Sequence, residues 1–289
     1  QITALKKERG YWFIRTDDGE YFDTFHDNEF IGLGWNNITV SDLTQKSEVF
    51  VKNKIAQSFS PALDASILKD KVKIGGIYNK LINFKNLKKG DAVIIPNKNS
   101  SHLAFGVVDD DTIYVDNNDV NCEYRKRRRI KWVAVRKFST LDPVFFFVKM
   151  NRHSISNVKD YSDNIDIVMN VLFTKGEYSH LALQLGLEED INAIKLAEFI
   201  SNFVELAQII NNKYGYNESI EDTALKLNLQ SPGFLEIKNK GKSILLAAFI
   251  FTTIACNDDN KLHSDKKKFY DTIYKENKVL VDSLKTNSE

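Results

Sequence analysis

The sequence predicts an α+β protein of two domains, a β-rich domain at about residues 1–150 and a helix-rich α+β domain at about 151–289. The first half is dominated by short β-branched and aromatic runs separated by turn residues, which is the pattern of strands. The second half carries longer segments whose apolar residues follow the i, i+3 and i+4 spacing of helices. A chain of 289 residues also has the length of one large or two ordinary domains.

Strands and two charged helices are predicted in the first half. Residues 10–16 (GYWFIRT) and 30–35 (FIGLGW) are predicted strands, and the glycines of the second allow another backbone or a ligand to come close. Helices are predicted from Ser41 to about Phe59 and from Pro61 towards Phe84. A dense β region follows, with strands predicted at residues 92–96, 102–109, 112–116 and 129–135 and an aromatic segment at 145–150.

The second half is predicted to alternate helices with strands. Helices are predicted from Ser154 to about Leu172 and from Asp190 to about Lys213, because apolar residues recur along one face of each. The remaining predicted elements are strands at 178–187, 223–229 and 233–238, an apolar helix at 243–255 and a charged helix from about Ser264.

Composition limits the class of protein. The chain has 40 Lys and Arg residues against 39 Asp and Glu, and this net charge of +1 excludes a uniformly basic nucleic-acid binder but not a local basic patch. A hydrophobic fraction of 43% excludes a disordered chain. Two distant cysteines, Cys122 and Cys256, supply neither a disulfide framework nor a thiolate zinc site. We therefore expect no resident metal or cofactor and a cytoplasmic location.

Short motifs in the first half occur in a recognisable order. An opening Tyr11-Trp12 strand precedes the glycine-bearing segment 30–35, the turn Leu87-Lys88-Lys89-Gly90-Asp91, the strand 102–108 and the basic strand 128–132 (RRIKW). In this order and spacing, residues 9–140 resemble the PUA-like superfamily of EVE, YTH and ASCH domains. The resemblance is greatest to the N-terminal modules of modification-dependent restriction enzymes and related phage-defence proteins.

The resemblance implies a PUA-like mixed β-barrel or sheet that recognises a nucleobase or nucleotide in a pocket, in some relatives a modified base flipped out of a duplex. Trp12 and Trp35 match the family's strand aromatics and are the expected walls. Arg15 and His102 are expected to read a base edge or a phosphate. The alternative is that these residues are ordinary members of the sheet and its core. The loop at 97–101 departs from the family pattern because it carries no aromatic residue.

A basic segment is evident without reference to any family. Residues 125–137 carry eight positive charges and no negative one. Such a segment would bind phosphates with salt-dependent affinity. Alternatively, it would pair with the acidic turns at 109–111 and 116–119. The members expected to bind ligand are Arg125, Arg127, Arg128, Arg129 and Lys131, together with Trp132, for which a core position is the alternative.

An enzymatic alternative depends on a weak motif in the second half. Asp222 precedes one predicted strand, and Glu236 and Lys238 lie on the next. Restriction-type nucleases hold Mg²⁺ with an Asp and a Glu on neighbouring strands and position the attacking water with a Lys. Glu236 and Lys238 are otherwise the outward residues of an alternating strand.

The apolar run at 243–256 is shorter than the about 20 residues that a membrane span requires. It is expected to be a core helix, to pack against a second copy of the chain or, least simply, to touch a membrane. Taken together, the sequence predicts a non-enzymatic sensor of DNA, RNA or a nucleotide. The second domain is expected to form homo-oligomers or to signal to a partner effector protein. A phage-defence setting is implied by the resemblance alone, and an Mg²⁺-dependent nuclease is the runner-up.

Overall fold

The computed structural model describes residues 2–185, 192–228 and 233–255, and it confirms the α+β class. The strands are β1 (Thr3–Leu5), β2 (Tyr11–Ile14), β3 (Phe30–Leu33), β4 (Ala92–Pro96), β5 (His102–Val108), β6 (Tyr114–Val115), β7 (Lys126–Lys137), β8 (Ile155–Asn157), β9 (Leu172–Lys175), β10 (Tyr178–Leu185), β11 (Ala224–Asn228) and β12 (Gly233–Lys240). The helices are α1 (Phe22–Asp27), α2 (Val40–Gln45), α3 (Glu48–Gln57), α4 (Leu68–Lys85), α5 (Phe145–Lys149), α6 (Ser162–Met169), α7 (Ala193–Tyr214) and α8 (Ser243–Ala255). Cys256 and the helix predicted from Ser264 lie outside the described residues.

The chain forms two compact units whose boundary differs from the predicted one. Residues 8–169 form the N-terminal unit, and residues 2–7 join the described residues from Asn170 onwards in the C-terminal unit. The boundary predicted near residue 150 is too early because β8 pairs with β2 and keeps the following residues in the first unit. The first strand belongs to the second unit because β1 pairs in parallel with β9.

The N-terminal unit is built on a sheet of order β3-β7-β5-β4-β2-β8, with β6 also paired to β7. β7 pairs with β3 through residues 126–129 and with β5 through residues 130–137. This strand therefore belongs to two neighbouring parts of one curled sheet. Large buried side chains such as Phe25, Phe30 and Phe84 fill the core between the sheet and helices α1 to α4.

Helix boundaries differ from prediction where polar side chains bond the backbone. The helix predicted from Ser41 to about Phe59 is divided into α2 and α3, because the Ser47 side chain accepts a hydrogen bond from the Phe50 N–H and caps a new helix. The helix predicted from Pro61 begins only at Leu68. The single helix predicted over 154–172 is wrong at both ends, since β8 and β9 are strands there and the α-helix is limited to α6 after a short 3-10 turn.

The C-terminal unit has a five-stranded sheet of order β1-β9-β10-β12-β11, with α7 and α8 packed on one face. The α8 side chains of Ile244, Ala247 and Ile250 are buried, and the rings of Phe251 and Phe199 of α7 lie 5.3 Å apart. The core-helix prediction for residues 243–255 is confirmed for these side chains, which one chain buries without a second copy. No helix in the described ranges combines the length and the apolar character needed to cross a bilayer.

Candidate functional site

The basic segment divides into a buried part and an exposed part. The buried part consists of Lys126, Arg127 and Arg128, each at most 2% exposed. The sequence predicted that this segment forms a basic surface. Arg129 and Lys131 are exposed. The buried part lies where β3 and β6 flank β7. Two of the five cations expected to bind ligand, Arg127 and Arg128, are therefore inaccessible to one.

Arg127 makes the intramolecular acid–base contact that was the alternative to ligand binding. Its guanidinium donates to Asp116 at 2.9 Å and pairs with Asp119 at 2.8 Å. It also lies over the Phe30 ring, 4.1 Å from the centroid. The acidic turn at 116–119 therefore supplies the carboxylates that pair with Arg127. The predicted alternative, pairing within the chain, is confirmed for this residue.

Arg128 holds the C-terminal end of α4. Its Nε donates to the Phe84 carbonyl at 2.9 Å, and one terminal nitrogen donates to the Lys85 carbonyl. The last carbonyls of a helix have no intrahelical partner, so a buried cation there satisfies groups that would otherwise be costly to bury.

Lys126 is buried without a carboxylate partner among the described residues. Its Nζ donates to the Trp35 carbonyl at 2.9 Å. Burial, assisted by the neighbouring Arg125 charge, lowers the pKa of Lys126 to about 8. The charged amine is therefore less favourable in the folded chain than in the unfolded chain.

Lys126→Met is expected to change the pH dependence of stability. Between about pH 8 and 10.5 the unfolded chain keeps a proton that folded Lys126 has released, so the unfolding free energy of the native protein should rise with pH in this window. The difference in unfolding free energy between the native protein and Lys126→Met should increase by about 3 kcal/mol across this window. Urea unfolding across this pH range measures it, and Lys137→Met at the exposed end of the same strand is the control. A native-minus-variant difference that stays flat would contradict the assignment.

Arg129 and Lys131 line a cleft of about 470 Å³. Its other lining residues are Asn28, Glu29, Asp109, Tyr114 and Ile130. The Arg129 guanidinium lies 5.8 Å from the centroid of the Tyr114 ring. Within the described ranges neither Arg129 nor Lys131 forms an ion pair, so both charges are available to an anion in the cleft.

A second cleft of about 490 Å³ adjoins the first and shares Asn28 and Glu29 with it. His26, Asp27 and Trp132 complete its lining. The Trp132 and His26 rings are stacked with centroids 5.9 Å apart, and the indole N–H donates to the Phe25 carbonyl at 3.1 Å. This bond orients the half-buried Trp132 ring, so it is both a packing residue and a wall of the cleft.

The two predicted pocket walls lie on well-separated strands. Trp12 is on β2 and Trp35 follows β3, with β7, β5 and β4 between these strands in the sheet. The Trp12 indole N–H donates to Asp91 at 3.1 Å, and the Trp35 ring lies beneath the Lys80 amine at 5.5 Å. Both rings also pack against the core.

Arg15 and His102 also have partners within the chain. The Arg15 Nε donates to the Asn151 carbonyl at 3.0 Å, just beyond α5. His102 lies at the start of β5, with its Nδ1 3.2 Å from the Ser101 hydroxyl. None of Trp12, Arg15, Trp35 and His102 lines either of the two clefts described above.

The glycines of segment 30–35 admit a side chain of this protein. A Cβ at Gly32 would lie 2.8 Å from the Tyr124 Cβ, and a Cβ at Gly34 would lie 3.2 Å from the Tyr124 ring. A close approach was correctly predicted, but its occupant is Tyr124. The Tyr124 ring also packs edge-on against Tyr21, at 4.9 Å.

The predicted nuclease residues do not converge. Glu236 is buried and 2.7 Å from the His180 Nδ1, and Ala224 pairs with Lys238. Asp222 ends a short 3-10 turn before β11, whereas Glu236 is opposite Lys226 within the strand pair. In the described part of the chain no three His, Cys, Asp or Glu side chains are grouped to hold a metal ion. Glu236 is therefore engaged by His180, and Asp222 lies outside the paired strands.

Sequence reasoning missed Asn28, Glu29, Asp109 and Tyr114 as lining residues. No motif marks them, because they come from separate turns and a two-residue strand. The polar pair Asn28-Glu29 directly before β3 indicated a turn in the sequence. In the structure, Glu29 adopts a positive φ of 53° in that turn.

The comparisons with known proteins give one match. A family model described as a domain of unknown function (DUF8426) matches residues 12–159, just over half of the chain. No curated protein and no solved structure matches.

Proposed function

This chain belongs to the DUF8426 family, and on that premise we propose that the cleft beside Arg129 and Lys131 binds a nucleotide or a single nucleotide unit of a nucleic acid. The observation that carries the proposal is the placement of these two cations. They remain exposed at alternate positions of β7 and line one concave site, whereas Lys126, Arg127 and Arg128 on the same strand are buried and bonded within the chain.

The mixed lining of the cleft suits a nucleotide better than a simple anion. Guanidinium and ammonium groups bind phosphate oxygens. Glu29 and Asp109, on the same lining, are acceptors for the N–H groups of a base edge. Tyr114 in this cleft and Trp132 in the adjoining one offer aromatic faces for stacking. A ligand with a phosphate, N–H donors and a flat ring would contact the cations, the carboxylates and the aromatic rings of this lining.

The proposal includes a PUA-like module acting as a sensor in phage defence. Its support is the order of motifs over residues 9–140 together with the curled sheet. The proposed site differs from the one the resemblance implied, since Trp132 replaces Trp12 and Trp35 as the stacking residue. Homo-oligomer formation and a partner effector stay predictions.

Removing both exposed cations is expected to weaken binding. Arg129→Ala with Lys131→Ala should raise the Kd for a short labelled oligonucleotide about tenfold or more and lower the slope of log K against log salt by about 1 to 2. Fluorescence anisotropy at several salt concentrations measures both. Lys69→Ala with Lys71→Ala, which removes two exposed charges from α4, is the matched control.

The identity of the ligand follows from the same assay with unlabelled competitors. A nucleoside triphosphate that competes in native protein, but not in the double variant, would assign the cleft to a nucleotide. Equal affinities for native protein and double variant would overturn the proposal, provided that circular dichroism shows both to be folded.

A further inference from the structure

At one end of the C-terminal sheet, two lysines lie beside an exposed tyrosine. Strand register places Tyr178 opposite Lys240, and Lys238 lies two residues away on the same face of β12. Lys226 of β11 is opposite Glu236 and shares this face. From this arrangement we propose that the face binds single-stranded nucleic acid, with a base stacked on Tyr178 and phosphates held by the lysines.

Tyr178 is placed to present its ring to a ligand. It is 37% exposed, so one part of the ring is open to solvent. The amines of Lys238 and Lys240 lie 5.2 and 5.7 Å from its ring centroid. The ring and the two cations therefore form one local surface, on which a base and its flanking phosphates can be bound together.

The carboxylates near this surface do not neutralise it. Glu236 is buried and bonded to His180, whose ring is stacked on Phe173 at 4.5 Å. Among the described residues, Glu177 lies 3.8 Å from Lys240, and both side chains are more than half exposed. An exposed ion pair of that length contributes little. The lysines of the face therefore favour a polyanion.

The hydrophobic face of the same sheet is committed to the core. Leu181, Leu235 and Ile237 point to that side and are buried with α7 and α8. The alternation of the strands places Tyr178 and the lysines on the opposite face. That face also carries the buried residues Phe173, His180, Ala182 and Glu236. Its accessible part is therefore the end that carries Tyr178, Lys238 and Lys240. A sheet face with an aromatic residue and cations is a recurrent platform for single strands, because every base has a π-face and every linkage a phosphate.

The test uses the full chain, a short labelled single-stranded RNA and the DNA of the same sequence. Tyr178→Ala should weaken binding about tenfold or more, and Tyr178→Phe should restore it because the ring remains. Lys238→Gln with Lys240→Gln should lower the salt slope by about 1.4. Lys69→Gln with Lys71→Gln removes the same charge from α4 and should change neither quantity.

This inference does not rest on the cleft, and the two can fail separately. The Tyr178 and lysine variants are measured again in a background that carries Arg129→Ala and Lys131→Ala, where their effects should persist. Comparison of RNA with DNA identifies the preferred strand. Unchanged binding in the Tyr178→Ala and double-lysine variants would overturn the proposal. Equal competition by polyglutamate, with no effect of Tyr178→Ala, would overturn it in favour of an acidic protein partner.

Discussion

Arg128→Ala is expected to destabilise the N-terminal unit by about 3 kcal/mol or more, whereas Arg129→Ala should change the free energy of unfolding by less than about 0.5 kcal/mol. The two residues are neighbours in the chain, carry the same charge and lie on the same strand. Arg128 is 1% exposed and Arg129 is exposed. Loss of Arg128 removes the donors to the last carbonyls of α4 and leaves a cavity under that helix.

Urea unfolding followed by circular dichroism measures both variants. Similar destabilisation by the two changes would show that Arg128 is not the buried cap described here. The same contrast decides how binding experiments must be designed. Substituting residues 127–129 together would remove two buried, internally bonded arginines along with one exposed charge. A loss of binding in that triple variant would not distinguish a lost ligand contact from unfolding.

Asp166→Ala is expected to cost about 3–5 kcal/mol, because it leaves a buried cation without its carboxylate. Asp166 is fully buried on α6; it accepts from the Tyr11 hydroxyl at 2.6 Å and pairs with the Arg9 guanidinium at 3.2 Å. The Arg9 side chain is only 4% exposed, so solvent cannot compensate for the lost partner. The folded state should therefore lose more than one ordinary hydrogen bond.

Thermal and urea unfolding measure the effect, with Asp160→Ala as the exposed control just before α6. Arg9→Met combined with Asp166→Leu removes both charges and should recover much of the loss, because the unpaired charge is then absent. A loss below about 1 kcal/mol in Asp166→Ala would contradict the buried pair. A double variant no more stable than Asp166→Ala would show that packing, and not charge, controls the site.

Strands with strong local patterns were predicted correctly. Residues 92–96, 102–108 and 233–238 are strands in both the prediction and the structure, since each combines β-branched or aromatic residues with flanking turn residues. The apolar run at 243–255 forms a helix as expected. The strand at residues 3–5 was missed because it is formed by pairing with the distant β9. The strand at 172–175, which pairs with both β1 and β10, was missed because the prediction ended a helix there.

The candidate site was predicted only in part. Of the predicted ligand-binding residues in the basic segment, Arg129 and Lys131 line one cleft and Trp132 lines the adjoining one. Arg127 and Arg128 were included as ligand-binding residues because charge in a sequence carries no information about burial. Glu29, Asp109 and Tyr114 were missed because they come from separate segments, two turns and a short strand, that only the fold brings to one cleft.

The sequence by itself determined the α+β class, most of the central strands and the position of the basic segment. These properties depend on residue type and on periodicity, which are local along the chain. Only the tertiary structure decided the boundary between the units, the occupant of the space at Gly32 and the division of the cations into buried and exposed ones. Those outcomes depend on which distant segments pack together. A buried guanidinium is tolerated where carbonyls and carboxylates from other elements surround it, and that surrounding arises only on folding.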